Sequence, residues 1–290
     1  MLWFVLSLVA AFFDATYFTL IKSYLERVDF YVLGAGVSLF SFFFTIIASA
    51  VKGMPVLGSR FYPYLALTSA MEVVAMILYF KGLKSHDISL SMPMLSFTPL
   101  FLLFTSFLIL REMPTPAGAF GILLIVMGSY VLGLKEVEGD GEDPLLPFKA
   151  LLRNRGTRYM LIVALFWGVE TNFVKIVVLN SDPLFAAASF SLLIGAAFLV
   201  ISIVRGEDVK AGFAENMGRF ALAGAVISLS AVAVNQAFTM EIVPYVISIK
   251  RLNILFSVLY GALVFHEINI RDRFTGALIM TAGSMIVLLS

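Results

Sequence analysis

Cysteine is absent from the 290 residues, charge is scarce, and histidine and tryptophan occur only twice each. Without cysteine there is no disulfide framework, no thiolate metal site and no thiol nucleophile. Charged residues make up 13% of the chain, about half of what a water-soluble domain carries, which argues against a soluble fold. His86 stands in a connecting segment and His266 beside Glu267, and neither has further ligands at metal spacing. No phosphate-cradling glycine loop, Ser/His/Asp grouping or paired-metal pattern is present. The sequence therefore reads as a non-enzyme with no metal and no cofactor. The net charge of +1 comes from placed rather than massed cations, which gives no reason to expect a nucleic-acid partner.

What fills the chain is hydrocarbon: 60% hydrophobic residues, 28 of them Phe, and a mean hydropathy of +0.98. Apolar runs broken by charge, Gly or Pro predict ten spans, approximately 2–22, 30–51, 61–81, 88–110, 114–134, 158–179, 183–204, 217–239, 244–265 and 271–289. The first run lacks a basic start and a small-residue cleavage site, so it is read as a retained span rather than a signal peptide. Between spans five and six lies the only long polar stretch, KEVEGDGEDPLLPFKALLRNRGTR, acidic at its front and basic at its rear. It is expected to be a solvated linker. The expected partners are the lipid bilayer and a small-molecule substrate, with the chain a monomer or homodimer in the cell (plasma) membrane.

The two halves repeat. With an offset of 155 residues (112 to 267), REMPTPAGAFGILLIVMGSYVLGL lies over HEINIRDRFTGALIMTAGSMIVLL without a gap, matching Gly121 to Gly276 and Gly128 to Gly283. Nearer the start the offset is 153 (22 to 175): KSYLERVD lies over KIVVLNSD and Asp29 meets Asp182. Five spans is an odd number, so the second half inserts upside down relative to the first. The predicted fold is an all-α polytopic membrane protein with ten transmembrane helices as two inverted five-helix repeats. Residues 1–135 form the first repeat, 136–157 a polar linker and 158–290 the second repeat. That plan puts a substrate site near the bilayer midplane between the halves. The Lys/Arg bias of the connections places the linker in the cytoplasm and both termini outside.

The costly residues are the informative ones. Lys250 and Arg251 lie about 9–11 Å inside a helix starting at Pro244, in a hydrocarbon core about 30 Å thick. Adjacent cations there need a watery cavity, a counter-charge or an anionic ligand. On a continuous helix Lys250, Asn253 and Ser257 share one stripe at i, i+3 and i+7, as a cavity wall requires. Asp14, Glu72 and Glu170 are intramembrane acids, either counter-ions to the basic pair or proton-coupling groups. Lys22 and Lys175, mates in the repeat, either anchor span ends at the interface or act as gates. Asn235 and Gln236 can donate to a ligand or to nearby backbone. Tyr17, Tyr79 and Tyr245 are candidate cavity-lining aromatics. Glu112 and Glu267 stand between helices and suit a capping role. Pro93, Pro99 and Pro244 interrupt or open cavity-side helices, freeing carbonyls for a ligand or shaping packing.

The helix-Glu-helix pattern ending each half, with Phe166-Trp167-Gly168 followed by Asn172 and Phe173 opening the second half, resembles the EamA-type members of the drug/metabolite transporter superfamily. That resemblance covers nearly the whole chain. It implies a ten-helix carrier with both termini in the cytoplasm, contrary to the charge bias. VNQAFTMEIVPYVISIKRLNILFS (Val234 to Ser257) is further similar to the triose-phosphate and nucleotide-sugar transporter branch. In that branch an Asn-Gln pair ends the eighth helix, a proline opens the ninth, and a Lys-Arg pair grips phosphate. By this match Asn235, Gln236, Pro244, Lys250 and Arg251 occupy those positions. The branch's further phosphate-binding lysine, in its fourth helix before a Glu-Pro, has Leu95 in its place here, before Thr98-Pro99.

The resulting expectation is a secondary transporter that moves a small organic anion, phosphorylated or carboxylated, by alternating access. The substrate would sit in a central cavity near Lys250 and Arg251. The alternatives are an exporter or flippase of an amphiphilic or lipid-linked substrate, and an amino-acid or drug exporter whose basic pair is a structural or gating ion pair.

Overall fold

The computed structural model describes residues 1–83, 92–134, 145, 149, 154–264 and 270–290. Among them every regular element is helical: α1 (Leu2–Tyr24), α2 (Phe30–Lys52), α3 (Phe61–Leu83), a 3₁₀ helix (Met92–Phe97), α4 (Thr98–Leu110), α5 (Pro116–Leu134), α6 (Arg155–Leu179), α7 (Pro183–Val204), α8 (Val209–Phe238), α9 (Val243–Lys250), α10 (Asn253–Val264) and α11 (Ile270–Leu289). His86, His266 and Glu267 lie outside the described residues, as does most of the linker.

Seven stretches are long and apolar enough to cross a membrane, the last of them running from Val243 to Tyr260 through α9 and α10. The fourth, fifth and tenth predicted spans appear as shorter apolar helices, Met94–Leu110, Pro116–Leu132 and Thr275–Leu289. The chain is an integral, multi-pass membrane protein.

Local chemistry sets several helix starts. The Asp29 carboxylate accepts the Tyr31 N–H at 2.8 Å at the head of α2. Its repeat mate Asp182 accepts the Leu184 and Phe185 N–H groups at 2.8 and 3.0 Å at the head of α7. Each satisfies donors that a helix start leaves unpaired. Asp208 does the same for Ala211 in α8, which begins eight residues before the predicted span because this cap starts the helix at Val209.

Two compact units emerge. One comprises Val74–Asn172 and Glu241–Ser290, together with Met1; the other comprises Leu2–Val73 and Phe173–Met240. Each takes helices from both halves of the sequence.

In the first unit, α5 lies against α11 with glycines at the crossing. A Cβ on Gly121 would stand 2.8 Å from the Gly283 carbonyl oxygen, and one on Gly128 would stand 2.7 Å from that of Gly276. Residue 121 thus faces 283 while 128 faces 276, so the helices run antiparallel and the contact is reciprocal between repeat mates. A second polar joint ties α4 to α6. The Ser106 hydroxyl donates to Asn172 Oδ1 at 2.6 Å, and Asn172 Nδ2 donates to Thr105 Oγ1 and to the Gly168 carbonyl at 3.0 and 2.9 Å. Polar side chains bridging helices in this way hold membrane bundles together where the hydrophobic effect does not.

In the second unit, α2 and α7 form the corresponding antiparallel pair. Lys52, at the end of α2, is 3.9 Å from Asp182 at the start of α7. Arg205, after the end of α7, lies over Tyr31 at the start of α2, 4.7 Å from the ring centroid. With the 153-residue offset Lys52 and Arg205 are repeat mates, so each helix brings a cation at its end to the start of the other, although the partners differ. Ser41 bridges to Ser191 of α7 and accepts from Ser228 of α8, both at 3.0 Å. Gly36 and Gly224 let α8 approach α2, since a Cβ on either would collide with Phe220 or Phe40.

Candidate functional site

The ninth span is not one helix. α9 ends at Lys250, Arg251 and Leu252 form a turn, and α10 starts at Asn253. Here the backbone tightens: the Leu252 N–H reaches the Ile249 carbonyl at 3.0 Å, Ile254 reaches Arg251 at 3.2 Å, and Leu255 reaches Leu252 at 2.9 Å. These are i→i−3 bonds, the 3₁₀ pattern. The continuous helix expected for Lys250, Asn253 and Ser257 is thereby divided: Lys250 closes α9, and Asn253 and Ser257 belong to α10.

The fourth span is interrupted at the equivalent place. Its 3₁₀ helix ends at Phe97 and α4 starts at Thr98, which the 155-residue offset maps onto Leu252 and Asn253. In this half the cause is local. Pro99 has no N–H, so the Leu95 carbonyl four residues earlier loses its helical donor. The Thr98 hydroxyl supplies the bond instead, at 2.9 Å, so that carbonyl is satisfied within the helix. Leu95 and Ser96, the mates of Lys250 and Arg251, are buried, and Leu95 packs with Met94, Met160 and Val163. The charge is one-sided.

Around the second break the first unit gathers several of the expected residues. Lys250 and Arg251 are half-buried. The Arg251 guanidinium lies over the Trp167 ring, 6.0 Å from its centroid, at the outer range of a cation–π contact. Trp167 stacks at a tilt on Tyr79, with centroids 5.9 Å apart. Asn253 is 8% exposed, and its Oδ1 is buried with no hydrogen-bond partner. Buried acceptors are rarely left so. Glu170 is buried on α6, one turn beyond Trp167, and Ser257 is half-buried on α10.

The other expected residues belong to the second unit. Asp14 is buried and accepts a short hydrogen bond from Ser230, joining α1 to α8. Tyr17 packs against the core of Val28, Leu33, Val37 and Phe220. Asn235 is buried and donates to the Pro183 carbonyl at 3.1 Å, while Gln236 donates to the Thr239 hydroxyl at 3.2 Å. Glu72 is half-buried on α3. The repeat mates Lys22 and Lys175 differ: Lys22 is exposed at the end of α1, whereas Lys175 is buried at 7% exposure within α6. A snorkelling anchor describes the first environment and not the second.

Sequence reasoning missed three contacts. Glu112 does cap, but across the chain: its Oε2 accepts the Val243 N–H at 2.8 Å, so it caps α9, 131 residues away. The Tyr245 hydroxyl is tied to the Thr115 N–H at 3.0 Å and accepts from Ser290 at 3.1 Å, which makes this residue a packing joint. Trp167 underlies Arg251. Only an Asn inside an apolar run, as at Asn172, carried a signal of its own.

Comparison with known proteins agrees with this architecture. The family described as the EamA-like transporter family matches residues 1–134 and 154–289. An uncharacterized transporter of Methanothermobacter thermautotrophicus is 28% identical over 154 residues, which is 51% of this chain. The chain spans 42% of the length of that relative. A solved structure, described only as the crystal structure of a protein, superposes over 99% of this chain and 96% of its own with a TM-score of 0.77. At 16% identity that likeness concerns the fold alone.

Proposed function

The chain belongs to the EamA-like transporter family, and from that premise we propose that this membrane transporter is a secondary carrier of a small organic anion, phosphorylated or carboxylated. The observation that carries the proposal is the basic pair at the break of the ninth span. Lys250 ends α9 and Arg251 occupies the turn, inside a stretch apolar enough to cross the bilayer. Charge is expensive there and marks a pathway. Arginine grips a carboxylate or phosphate through two parallel N–H donors and lysine adds a point charge. The contact with Trp167 supports this role, since it places the guanidinium beside an aromatic wall, 6.0 Å from the ring centroid. The orphan acceptor of Asn253 suits a hydroxyl or amine on the same substrate. The local likeness of Val234 to Ser257 to phosphate-gripping carriers favours phosphate, and Leu95 in place of the further lysine favours a carboxylate.

The proposed architecture is ten transmembrane helices in two inverted repeats, with the substrate in a central cavity beside the basic pair. The reciprocal crossings of α5 with α11 and of α2 with α7 support it, because equivalent helices related by a two-fold axis meet in that manner. Transport proceeds by alternating access, driven by a gradient or by exchange, at the cell membrane.

The test is uptake into liposomes by Lys250→Ala and Arg251→Ala. Both are expected to abolish uptake of the anion while the purified proteins melt as the wild type does. Unchanged uptake in both sinks the anion site. The substrate class is found by thermal shift against organic phosphates, carboxylates, amino acids, amines and nucleotide sugars. A ligand of the folded state raises the melting temperature with its concentration, and stabilisation by cations alone overturns the proposal.

A further inference from the structure

A groove of about 420 Å³ opens in the second unit along α1 and α8, beneath the start of α7. That is within the range of small-ligand sites, about 300–1,000 Å³. Leu6, Val9 and Phe13 form its α1 wall, and Leu229, Val232 and Gln236 its α8 wall. Both sets are spaced i, i+3 and i+7, so each is one stripe of its helix.

Polarity is confined to one end. Lys52, the last residue of α2, and Pro183, the first of α7, lie there with Gln236, two residues before α8 ends. The Asn235 bond to the Pro183 carbonyl fixes these helix ends at one level. Consecutive membrane-crossing helices run in opposite directions, so the start of α1 is at the same level as the end of α2. The groove therefore descends from a polar rim over seven residues of α8, about 10 Å at 1.5 Å per residue. Val9 and Leu229 are 38% and 52% exposed, so its apolar walls are open. Its apolar walls offer ordered water few hydrogen-bond partners and suit hydrocarbon.

The rim carries both signs. Lys52 Nζ lies 3.9 Å from Asp182 Oδ2, and the Lys52 side chain is 54% exposed. Asp182 Oδ1 is engaged with the Leu184 and Phe185 N–H groups, leaving Oδ2 toward the lysine. Lys52 is exposed while the Asp182 side chain is 13% exposed, and at 3.9 Å the pair is long, so a headgroup supplying both counter-charges displaces little. We propose that the groove is a binding site for phosphatidylethanolamine, held as a resident lipid. One acyl chain lies between α1 and α8, its phosphate meets Lys52, and its ammonium donates to Asp182. Phosphatidylcholine offers no N–H to Asp182, and phosphatidylglycerol offers no cation. Both match the apolar walls but not the rim. The proposal is independent of which solute the carrier moves.

The test uses the full chain, purified in detergent and mixed with dioleoyl phosphatidylethanolamine, phosphatidylcholine or phosphatidylglycerol. Native mass spectrometry is expected to retain about one phosphatidylethanolamine per chain, and that lipid alone to raise the melting temperature. Asp182→Asn, whose side-chain oxygen can still accept from Leu184 and Phe185, removes the preference for phosphatidylethanolamine over phosphatidylcholine, and Lys52→Gln weakens retention of both. Val232→Trp, which fills the apolar wall, removes retention of every lipid at this site. The ratio of the two bound lipids on folded protein is the decisive readout, since a loss of stability alone does not move it. Equal retention of all three lipids, a preference for phosphatidylglycerol, or a wild-type ratio in Asp182→Asn overturns the proposal.

Discussion

Gly121→Ala offers the most direct test of how α5 and α11 are joined. The added Cβ would stand 2.8 Å from the Gly283 carbonyl oxygen and 2.9 Å from Val287 Cγ2. The nearest obstacle is backbone, which cannot swing aside as a side-chain tip does. The two helices must part by about 0.5 Å, a gap that forfeits a quarter or more of the dispersion energy of each contact it opens. Overpacking of this kind costs about 1–3 kcal/mol. Replacing a helical glycine by alanine returns about 0.5–1 kcal/mol of backbone entropy, so the net destabilisation is up to about 2.5 kcal/mol. Gly218→Ala is the matched control. It is also helical, and a Cβ there meets nothing within 4 Å, so only the stabilising contribution remains, about 0.5–1 kcal/mol. Reversible unfolding in mixed micelles, followed by circular dichroism, is expected to move the two midpoints in opposite directions. Gly283→Ala, which meets the Gly121 carbonyl oxygen at 2.6 Å, opens the same crossing. The double variant should therefore cost less than the sum of the singles. If Gly121→Ala unfolds at or above the wild-type midpoint while Gly218→Ala is stabilised, the reciprocal glycine crossing does not hold this pair together.

Three further outcomes follow from named contacts. Thr98→Val keeps the shape but strips the Leu95 carbonyl of its donor at 2.9 Å; leaving it bare costs about 1–3 kcal/mol, read as a lowered unfolding midpoint, and a wild-type midpoint refutes it. Asn172→Ala removes two interhelical bonds, to Ser106 and Thr105, besides its own-helix bond to Gly168; at roughly 0.6 kcal/mol for each interhelical bond, a loss of about 1 kcal/mol is expected in the same assay, and a loss no larger than that of an exposed control counts against it. Glu112→Ala uncaps α9 at about 0.5–2 kcal/mol, whereas Glu112→Gln, whose amide oxygen can still accept from Val243, should retain most of that; equal losses in the two variants would show that the Val243 bond is not the source.

The basic pair, the intramembrane acids and the repeat were legible because each is costly or periodic in one dimension. Asp29 and Asp182 stood out in the sequence only as repeat mates; the structure shows that both cap helices, through donors two or three residues away. The surroundings of the site were not legible. Arg251 meets Trp167 from a part of the chain 84 residues earlier (251 minus 167), and nothing local in either residue signals the other. The break at Arg251 and Leu252 has no glycine or proline to announce it, whereas its counterpart at Thr98 has Pro99. Nor could periodicity separate Lys22 from Lys175, since mates in a repeat share spacing but not surroundings.

Apolar run length, the repeat and the costly intramembrane charges were determined by the sequence alone, since hydrocarbon thickness, spacing and residue type are all read along the chain. The tertiary structure decided which helices share a unit, where the ninth span breaks, that Glu112 caps a helix 131 residues on, and that Lys175 is buried while its mate is exposed. Those features depend on contacts between segments far apart in the chain. Such contacts form only once the apolar faces have found each other, and no local rule of spacing or propensity carries them.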